Sequence, residues 1–151
     1  MAVPLPKNSW QKEKEIIRLM KNILFDSYAI LKFFQDEPGA DKVEKLIISS
    51  NQDDIQAYIS EINLGEIYYM TIRRLGLEPA KNLLEQFFEL PIRVISPSSD
   101  IILSASETKA EYAISYADCF AVATALRFSA SIITGDPEFK KVKHFVKIEW
   151  V

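Results

Sequence analysis

The segment ILFDSYAILKFF at residues 23–34 is the clearest indication of the fold class in this chain. Its first three residues form an apolar run suited to a short buried strand, Asp26 follows, and the apolar residues after Asp26 recur as expected for a helix. The stretch SIITGD at residues 131–136 has a similar order, with Asp136 one glycine after its apolar run. Both acids should lie where a parallel strand leaves its sheet, at the edge where open α/β sheets bind ligands.

Strand and helix patterns alternate along the remaining chain. We predict strands at residues 22–25, 56–60, 91–95 and 131–134, and helices at residues 27–35, 40–50, 62–75, 79–89, 100–112 and 116–128. Residues 145–151 alternate like a strand at the solvent edge of the sheet. Because strands separated by helices need parallel crossovers, the predicted fold class is α/β, with three α/β/α layers and a central, mainly parallel sheet flanked by helices.

The length of 151 residues suits one domain with a sizeable core. Residues 1–19 are predicted to be an N-terminal extension, in which Asn8 or Ser9 caps a helix from Trp10 to about Met20, and residues 20–151 the domain itself. Met20 is an alternative start of the chain. No apolar run approaches a membrane span and the N-terminus has no signal-peptide pattern, so we expect a cytoplasmic protein without membrane contact.

The formal charge of −3 argues against a broad electrostatic grip on nucleic acid, because non-specific affinity comes mainly from Lys and Arg that neutralise phosphates. Any contact with nucleic acid should therefore be local. The candidates are Arg73 and Arg74 with Lys81, and a group of lysines near the C-terminus, Lys140, Lys141, Lys143 and Lys147. For most of these residues, solvated surface charge is the simpler explanation.

Four acids are candidates for a site, and each has a structural explanation when taken alone. Asp26 can cap a helix that begins at Ser27, and Asp136 lies in a Gly-Asp-Pro turn. Asp118 lies in the first turn of its helix, where the positive end of the helix dipole stabilises a carboxylate. Glu66 can face solvent. Taken singly, these structural roles are preferred over catalytic ones.

The predicted fold brings the four acids together. The carboxyl ends of parallel strands share one edge, so Asp26 and Asp136 can meet there. Asp118 begins a helix whose small residues allow it to lie close to the sheet, and Glu66 shares a helix face with Asn63. This convergence is what favours a common role for the four residues.

Such a cluster requires a cation. Two carboxylates about 4 Å apart repel each other by roughly 4 kcal/mol at an effective dielectric near 20, and a divalent ion reverses that sign. Oxygen ligands without sulfur or imidazole select hard cations, so the predicted ion is Mg²⁺ or Mn²⁺. The hydroxyl groups of Ser27 and Thr134 are expected to orient the ligating carboxylates.

Other catalytic chemistries lack the residues that they need. The chain has four glycines and no glycine-rich phosphate loop. His144 is the only histidine and lies far along the chain, where a surface or edge position is expected. Cys119 is the only cysteine, so it can form no intrachain disulfide, and a small buried side chain is a better explanation for it than a nucleophile.

Four segments together resemble the acidic motifs of the PIN-domain family in order and spacing. They are ILFDSYAIL at residues 23–31, NLGEIYY at 63–69, YADCFAVATAL at 116–126 and ITGDPEF at 133–139. The resemblance covers about residues 20–151. It implies a parallel sheet with helices on both sides and a Mg²⁺- or Mn²⁺-dependent ribonuclease centre carried by Asp26, Glu66, Asp118 and Asp136. Where many members have Thr-Ser, this chain departs with Ser27-Tyr28.

Among single-domain members, the chain looks most like the VapC-type toxins of toxin–antitoxin pairs. That resemblance implies a homodimer that is neutralised by a small antitoxin protein and that hydrolyses phosphodiester bonds of single-stranded or structured RNA with a metal-activated water. The alternative is a catalytically silent PIN module that binds RNA or a protein partner, which the presence of all four acids disfavours. A phosphatase with Asp26 as nucleophile would need an acid where Tyr28 stands, and a receiver domain would need a lysine at a strand end.

Overall fold

The computed structural model describes residues 2–12, 15, 22–52 and 55–151. The strands are β1 (Asn22–Phe25), β2 (Gln56–Ser60), β3 (Arg93–Ile95), β4 (Ser131–Thr134) and β5 (Ile148–Trp150). The helices are α1 (Ser27–Phe34), α2 (Ala40–Gln52), α3 (Glu61–Leu75), α4 (Leu77–Phe88), α5 (Ser99–Glu111), α6 (Tyr116–Arg127) and a 3₁₀ helix at Pro137–Val142.

The strands form one sheet in the order β3-β2-β1-β4-β5, and all of its neighbouring strands are parallel. The chain moves outward from β1 to β3 and then returns to the other side of β1 as β4. The strand order therefore reverses between β1 and β4. In open α/β sheets, the crevice beyond the carboxyl ends of the strands at such a reversal is the usual place for a ligand.

Helices cover both faces of the sheet, which confirms the predicted three-layer α/β class. Side chains alternate along β1, so Ile23 and Phe25 join the core beneath α1 to α4, while Leu24 faces the core formed with α5 and α6. α6 is the most enclosed helix, with every residue from Asp118 to Ala125 buried. Its small residues allow this close packing.

The structure corrects several predicted boundaries. The predicted strand at 91–95 is shortened to Arg93–Ile95, and α4 begins at Leu77 rather than 79 because Gly76, at φ +96°, both ends α3 and precedes α4. The edge strand occupies only Ile148–Trp150 of the predicted 145–151. The 3₁₀ helix was not predicted, since six residues are too few to show a helical period.

In the N-terminal segment, Asn8 caps a helical turn at residues 9–12. The Gln11 N–H donates to Asn8 Oδ1 at 3.0 Å, and the Asn8 N–H donates to Gln11 Oε1 at 3.1 Å. The remainder of the predicted helix, at residues 13, 14 and 16–20, lies outside the described residues. None of the helices in the described part of the chain combines the length and apolar composition needed to cross a membrane.

Candidate functional site

A groove of about 1080 Å³ lies at the carboxyl edge of the sheet, and all four predicted acids line it. Asp26 directly follows β1, and Asp136 follows β4 after one residue. The other two acids come from helices, Glu66 from α3 and Asp118 from α6. The structure thus brings together, at the reversal of strand order, the four residues that the sequence suggested.

Asp26 is fixed by hydrogen bonds to both of its carboxylate oxygens. As the N-cap of α1, Oδ1 accepts the Ala29 N–H at 2.9 Å, and Oδ2 accepts the hydroxyl of Thr134, the last residue of β4. The side chain is buried. The expected capping role is therefore real, and it coexists with a place in the groove because a carboxylate offers about four lone-pair sites.

The Thr134 hydroxyl group also holds Asp136. Its oxygen accepts the Asp136 N–H at 3.0 Å while its hydrogen is donated to Asp26. Asp136 in turn caps the 3₁₀ helix, since its Oδ1 accepts the Glu138 N–H at 2.9 Å. One hydroxyl group therefore joins the acids that follow the two central strands.

Asp118 enters the groove from the first turn of α6. Its N–H donates to the Oγ of Ser115, the N-cap of the helix, at 3.1 Å. Ala121 and Ala125 are fully buried on the same helix, which lets α6 approach the sheet and keeps Asp118 largely out of water. Glu66, in the interior of α3, is half-buried.

Asn63 connects three of the acid-bearing segments. Its Nδ2 donates to Ser27 Oγ at 3.2 Å and to the carbonyl oxygen of Ala117 at 3.3 Å. The Ser27 hydroxyl donates back to the Asn63 carbonyl oxygen at 3.2 Å. The Ser27 hydroxyl group, which the sequence predicts to orient the ligating carboxylates, bonds to Asn63 of α3. The side chain of Asn63 is fully buried, and its Oδ1 has no hydrogen-bond partner among the described residues.

Burial and mutual repulsion make two of the acids harder to ionise. Desolvation raises the pKa of Asp26 from its ordinary value of 3.8 to about 7, an effect opposed by the hydrogen bonds of Thr134 and Ala29 and reinforced by the charges of Asp118 and Asp136. Desolvation likewise raises the pKa of Asp118 from 3.8 to about 6. Ser115 lowers it, and nearby acids, among them Asp136 and Glu66, raise it.

This donor set fits a hard divalent cation. It supplies carboxylate oxygens only, and a cation would offset both the burial of these charges, which is the main cause of the two raised pKa values, and their smaller mutual repulsion. Within the described residues, no three His, Cys, Asp or Glu side chains are arranged to enclose a metal ion. Mg²⁺ needs no such cage, because it usually keeps several waters and binds through one or two carboxylates together with substrate phosphate.

Cations also line the groove. Arg73 and Arg74, predicted as possible contacts to nucleic acid, lie there with Lys32 and Lys109. The other predicted contact residues, Lys81 and the C-terminal lysines, are not among the residues that line the groove. No local pattern indicates that Lys109 lies on the groove, since its position depends on how the loop joins α5 to α6.

Glu138 is an additional acid on the wall of the groove, and its negative charge contributes to the raised pKa of Asp118. The sequence offered one signal for it, the spacing of two residues from Asp136. Its side chain also pairs with Lys141, with 3.2 Å between Lys141 Nζ and Glu138 Oε2.

Cys119 and His144 play no part in the groove. The Cys119 thiol is buried, and desolvation raises its pKa, whereas a nucleophilic cysteine needs a lowered one. The nearby charge of Lys109 lowers the pKa but is the smaller effect. A hydrogen bond of 3.0 Å joins His144 Nε2 to the Tyr112 hydroxyl group, and both residues lie outside the groove.

Comparison with known proteins identifies relatives of this architecture. The family model described as PIN domain matches residues 23–144. No curated protein sequence matches the chain. Among solved structures, one similar chain belongs to the VapBC2 complex from Rickettsia felis, which was solved with a DNA fragment from the VapBC2 promoter. Its TM-score is 0.70 at 18% identity, and the match covers 85% of this chain and 98% of that one.

Two further solved structures are similar to this chain over most of its length. A chain of DNA-bound VapBC from Salmonella typhimurium has a TM-score of 0.68 at 17% identity over 85% of this chain and 97% of that one. VapC20 from Mycobacterium tuberculosis, described as a sarcin-ricin loop cleaving toxin, has a TM-score of 0.65 at 17% identity over 80% and 94%. At these identities the structural similarities establish the fold.

Proposed function

The chain belongs to the PIN domain family, and we propose that it is a metal-dependent endoribonuclease that hydrolyses phosphodiester bonds of single-stranded RNA. One observation carries this proposal. Acids from four separate segments, Asp26, Glu66, Asp118 and Asp136, line one groove at the reversal of strand order. A fold gains no stability from collecting carboxylates there, so their convergence calls for a charged ligand.

Mg²⁺ or Mn²⁺ would be held among these four carboxylates, through one or two of them directly and through bound water to the others. When bound, a divalent ion in such a site lowers the pKa of a water and polarises a phosphate oxygen. Hydrogen bonds from the Thr134 hydroxyl group and the Ala29 N–H fix the orientation of the Asp26 carboxylate. The Asp26 side chain therefore loses little conformational freedom when it binds a cation.

Positive side chains on the same groove complement the acids. Arg73, Arg74 and Lys109 are exposed there, where they can neutralise the phosphates on either side of the bond that is cut. Because the whole chain carries a formal charge of −3, we expect attraction for RNA to be local to groups of cations such as this one rather than spread over the surface. Affinity should therefore be modest and sensitive to salt.

We further propose that the protein is the toxin of a toxin–antitoxin pair, acts as a homodimer and is neutralised by a small antitoxin protein. Support comes from the solved relatives, which include VapBC complexes and a toxin that cleaves the sarcin-ricin loop.

The test is cleavage of a mixed RNA pool by the purified, partner-free protein. We expect cuts with Mg²⁺ or Mn²⁺, none with EDTA, and none from Asp118→Asn. The matched control is Asp100→Asn, because Asp100 also lies in the first turn of its helix but outside the groove. Cleavage retained in Asp118→Asn would contradict the nuclease proposal, and a folded protein that binds RNA without cutting it would be a catalytically silent module.

A further inference from the structure

Tyr28 differs from its neighbours because it is a large aromatic residue that remains exposed. It lies two positions after Asp26 in the first turn of α1, where Ser27 and Ala29 are buried, yet 41% of its surface is accessible. It also lines the groove that holds the acids. The ring of Tyr28 is only partly packed against the core, so the remaining ring surface is available to a ligand in the groove.

The ring is held by an unusually close approach to the backbone. A Cβ atom at Gly135 would lie 2.5 Å from Tyr28 Cε1 and 2.8 Å from the carbonyl oxygen of Val151. Only glycine therefore lets the ring lie against the connection between Thr134 and Asp136. The aromatic surface is thereby positioned directly beside two residues of the acidic site.

Lys32 fixes the ring from a second side. Its Nζ lies over the Tyr28 ring, 5.0 Å from the centroid, one helical turn further along α1. Lys32 is itself buried, and its Nζ donates to the carbonyl oxygen of Val151 at 3.1 Å. Gly39, at φ +98°, makes room for it, since a Cβ there would approach Lys32 Cδ to 3.1 Å. The ring is thus ordered before any ligand binds.

An ordered aromatic ring and nearby cations form a combination that binds single-stranded nucleic acid. The exposed cations Arg73, Arg74 and Lys109 share the groove with Tyr28. Cations follow the phosphates, while aromatic side chains stack on bases, and this stacking tolerates any base because every base has a π-face. The exposed bases of single-stranded RNA are the substrate feature that such a ring recognises.

We infer that Tyr28 is a stacking surface for one base of single-stranded RNA, next to the phosphodiester bond held at the acids. This inference rests on the proposed function and deepens it, since it names the part of the substrate that is bound. Tyr28 acts here as a binding residue rather than a catalytic one, because its ring contacts a base and takes no part in the reaction.

The experiment separates the base from the phosphate backbone. Affinities are measured by fluorescence anisotropy in EDTA with the Asp118→Asn protein, so that the RNA stays intact and binding does not depend on the metal site, for a short oligoadenylate and for an abasic ribose-phosphate oligomer of equal length. Adding Tyr28→Ala should weaken oligoadenylate binding by about 10-fold, within the range measured for base–aromatic stacking. It should leave the abasic oligomer unchanged.

Two further variants test the specificity of that loss. Tyr28→Phe keeps the ring and should bind oligoadenylate within about twofold of the parent, since stacking does not need the hydroxyl group. Phe88→Ala removes another exposed aromatic residue, on α4 and outside the groove, and should change neither affinity. Melting temperatures of all variants establish that each remains folded.

The stacking inference is overturned if Tyr28→Ala weakens both oligomers equally, if it weakens neither, or if the parent protein binds neither. A ring that instead serves a protein partner would give unchanged RNA affinities. Cleavage of the RNA pool by the wild-type protein is scored separately. If the wild-type protein cuts RNA but Tyr28→Ala does not weaken binding in a base-dependent way, only the stacking inference is contradicted. If Tyr28→Ala weakens binding in a base-dependent way but the wild-type protein does not cut RNA, only the proposed hydrolase activity is contradicted.

Discussion

The hydroxyl group of Thr134 donates to the carboxylate of Asp26, so the last residue of β4 holds the acid that directly follows β1. The same oxygen receives the N–H of Asp136. Since β1 and β4 are paired in register at Phe25 and Ile133, the sheet itself sets the separation between these two acids. The relative position of these two acids is therefore fixed by the paired core strands rather than by a loop.

Thr134→Val should impair cleavage strongly while the fold is retained. Valine keeps the branched shape but removes the hydroxyl group, leaving buried Asp26 without one hydrogen bond, which costs about 1–3 kcal/mol. Initial cleavage rates and chemical denaturation measure the two effects. Thr134→Ser, which keeps the hydroxyl group, should restore most of the activity, and equal losses in both variants would show that the hydroxyl group is not what matters.

Ionising Asp26 should destabilise the metal-free protein. Its pKa is raised in the folded state, from 3.8 to about 7, so the folded state binds the proton more tightly than the unfolded state does. Stability must then fall as pH rises from about 4 to about 7, by up to a few kcal/mol. In EDTA, the free energy of unfolding of wild type should decline relative to Asp26→Asn over this interval, and parallel pH profiles would contradict the raised pKa.

Mn²⁺ should raise the melting temperature of the wild-type protein. A ligand at about 100 times its dissociation constant stabilises the folded state by roughly 3 kcal/mol, which corresponds to several degrees for a domain of this size. Differential scanning fluorimetry with and without Mn²⁺ measures the shift. Asp118→Asn should lose most of it and Asp100→Asn should keep it. An equal shift in both variants would place the cation elsewhere.

Asn63→Ala should weaken Mn²⁺ binding as well as stability. The amide joins α3 to Ser27 and Ala117, which adjoin two of the proposed ligands, so its loss loosens their alignment. We expect a cost of about 1–3 kcal/mol in the free energy of unfolding and a weaker calorimetric affinity for Mn²⁺. Exposed Asn82 on α4 provides the control, since Asn82→Ala should change stability by only about 0.5 kcal/mol.

Deleting residues 1–19 should leave the domain folded and active. The described part of this segment is solvent-exposed, with Val3 and Leu5 about nine-tenths accessible, and the family match begins only at residue 23. The melting temperature and the cleavage rate of the shortened chain test the proposed domain boundary. A fall of many degrees would show that the segment packs on the domain.

The sequence was sufficient to predict the sheet and the meeting of the four acids at its edge, because apolar runs, helical spacing and the acids that follow or lie within these elements are local patterns. The ranges predicted for β1, β2 and β4 match the structure residue for residue. Contacts that depend on how distant segments meet could not be predicted. The Tyr28 ring against Gly135 and the position of Lys109 on the groove are of this kind, since each needs the loop geometry of two separate elements.

The hydrogen bond between Thr134 and Asp26 spans 108 positions of sequence, and this distance governs when the site is completed during synthesis. Chains emerge from the ribosome N-terminus first, so Asp26, Glu66 and Asp118 appear before β4. A nascent chain that ends before residue 131 carries three acids without the strand that aligns them. Under the proposed function, the messenger RNA being translated meets no finished nuclease until the last strands have emerged.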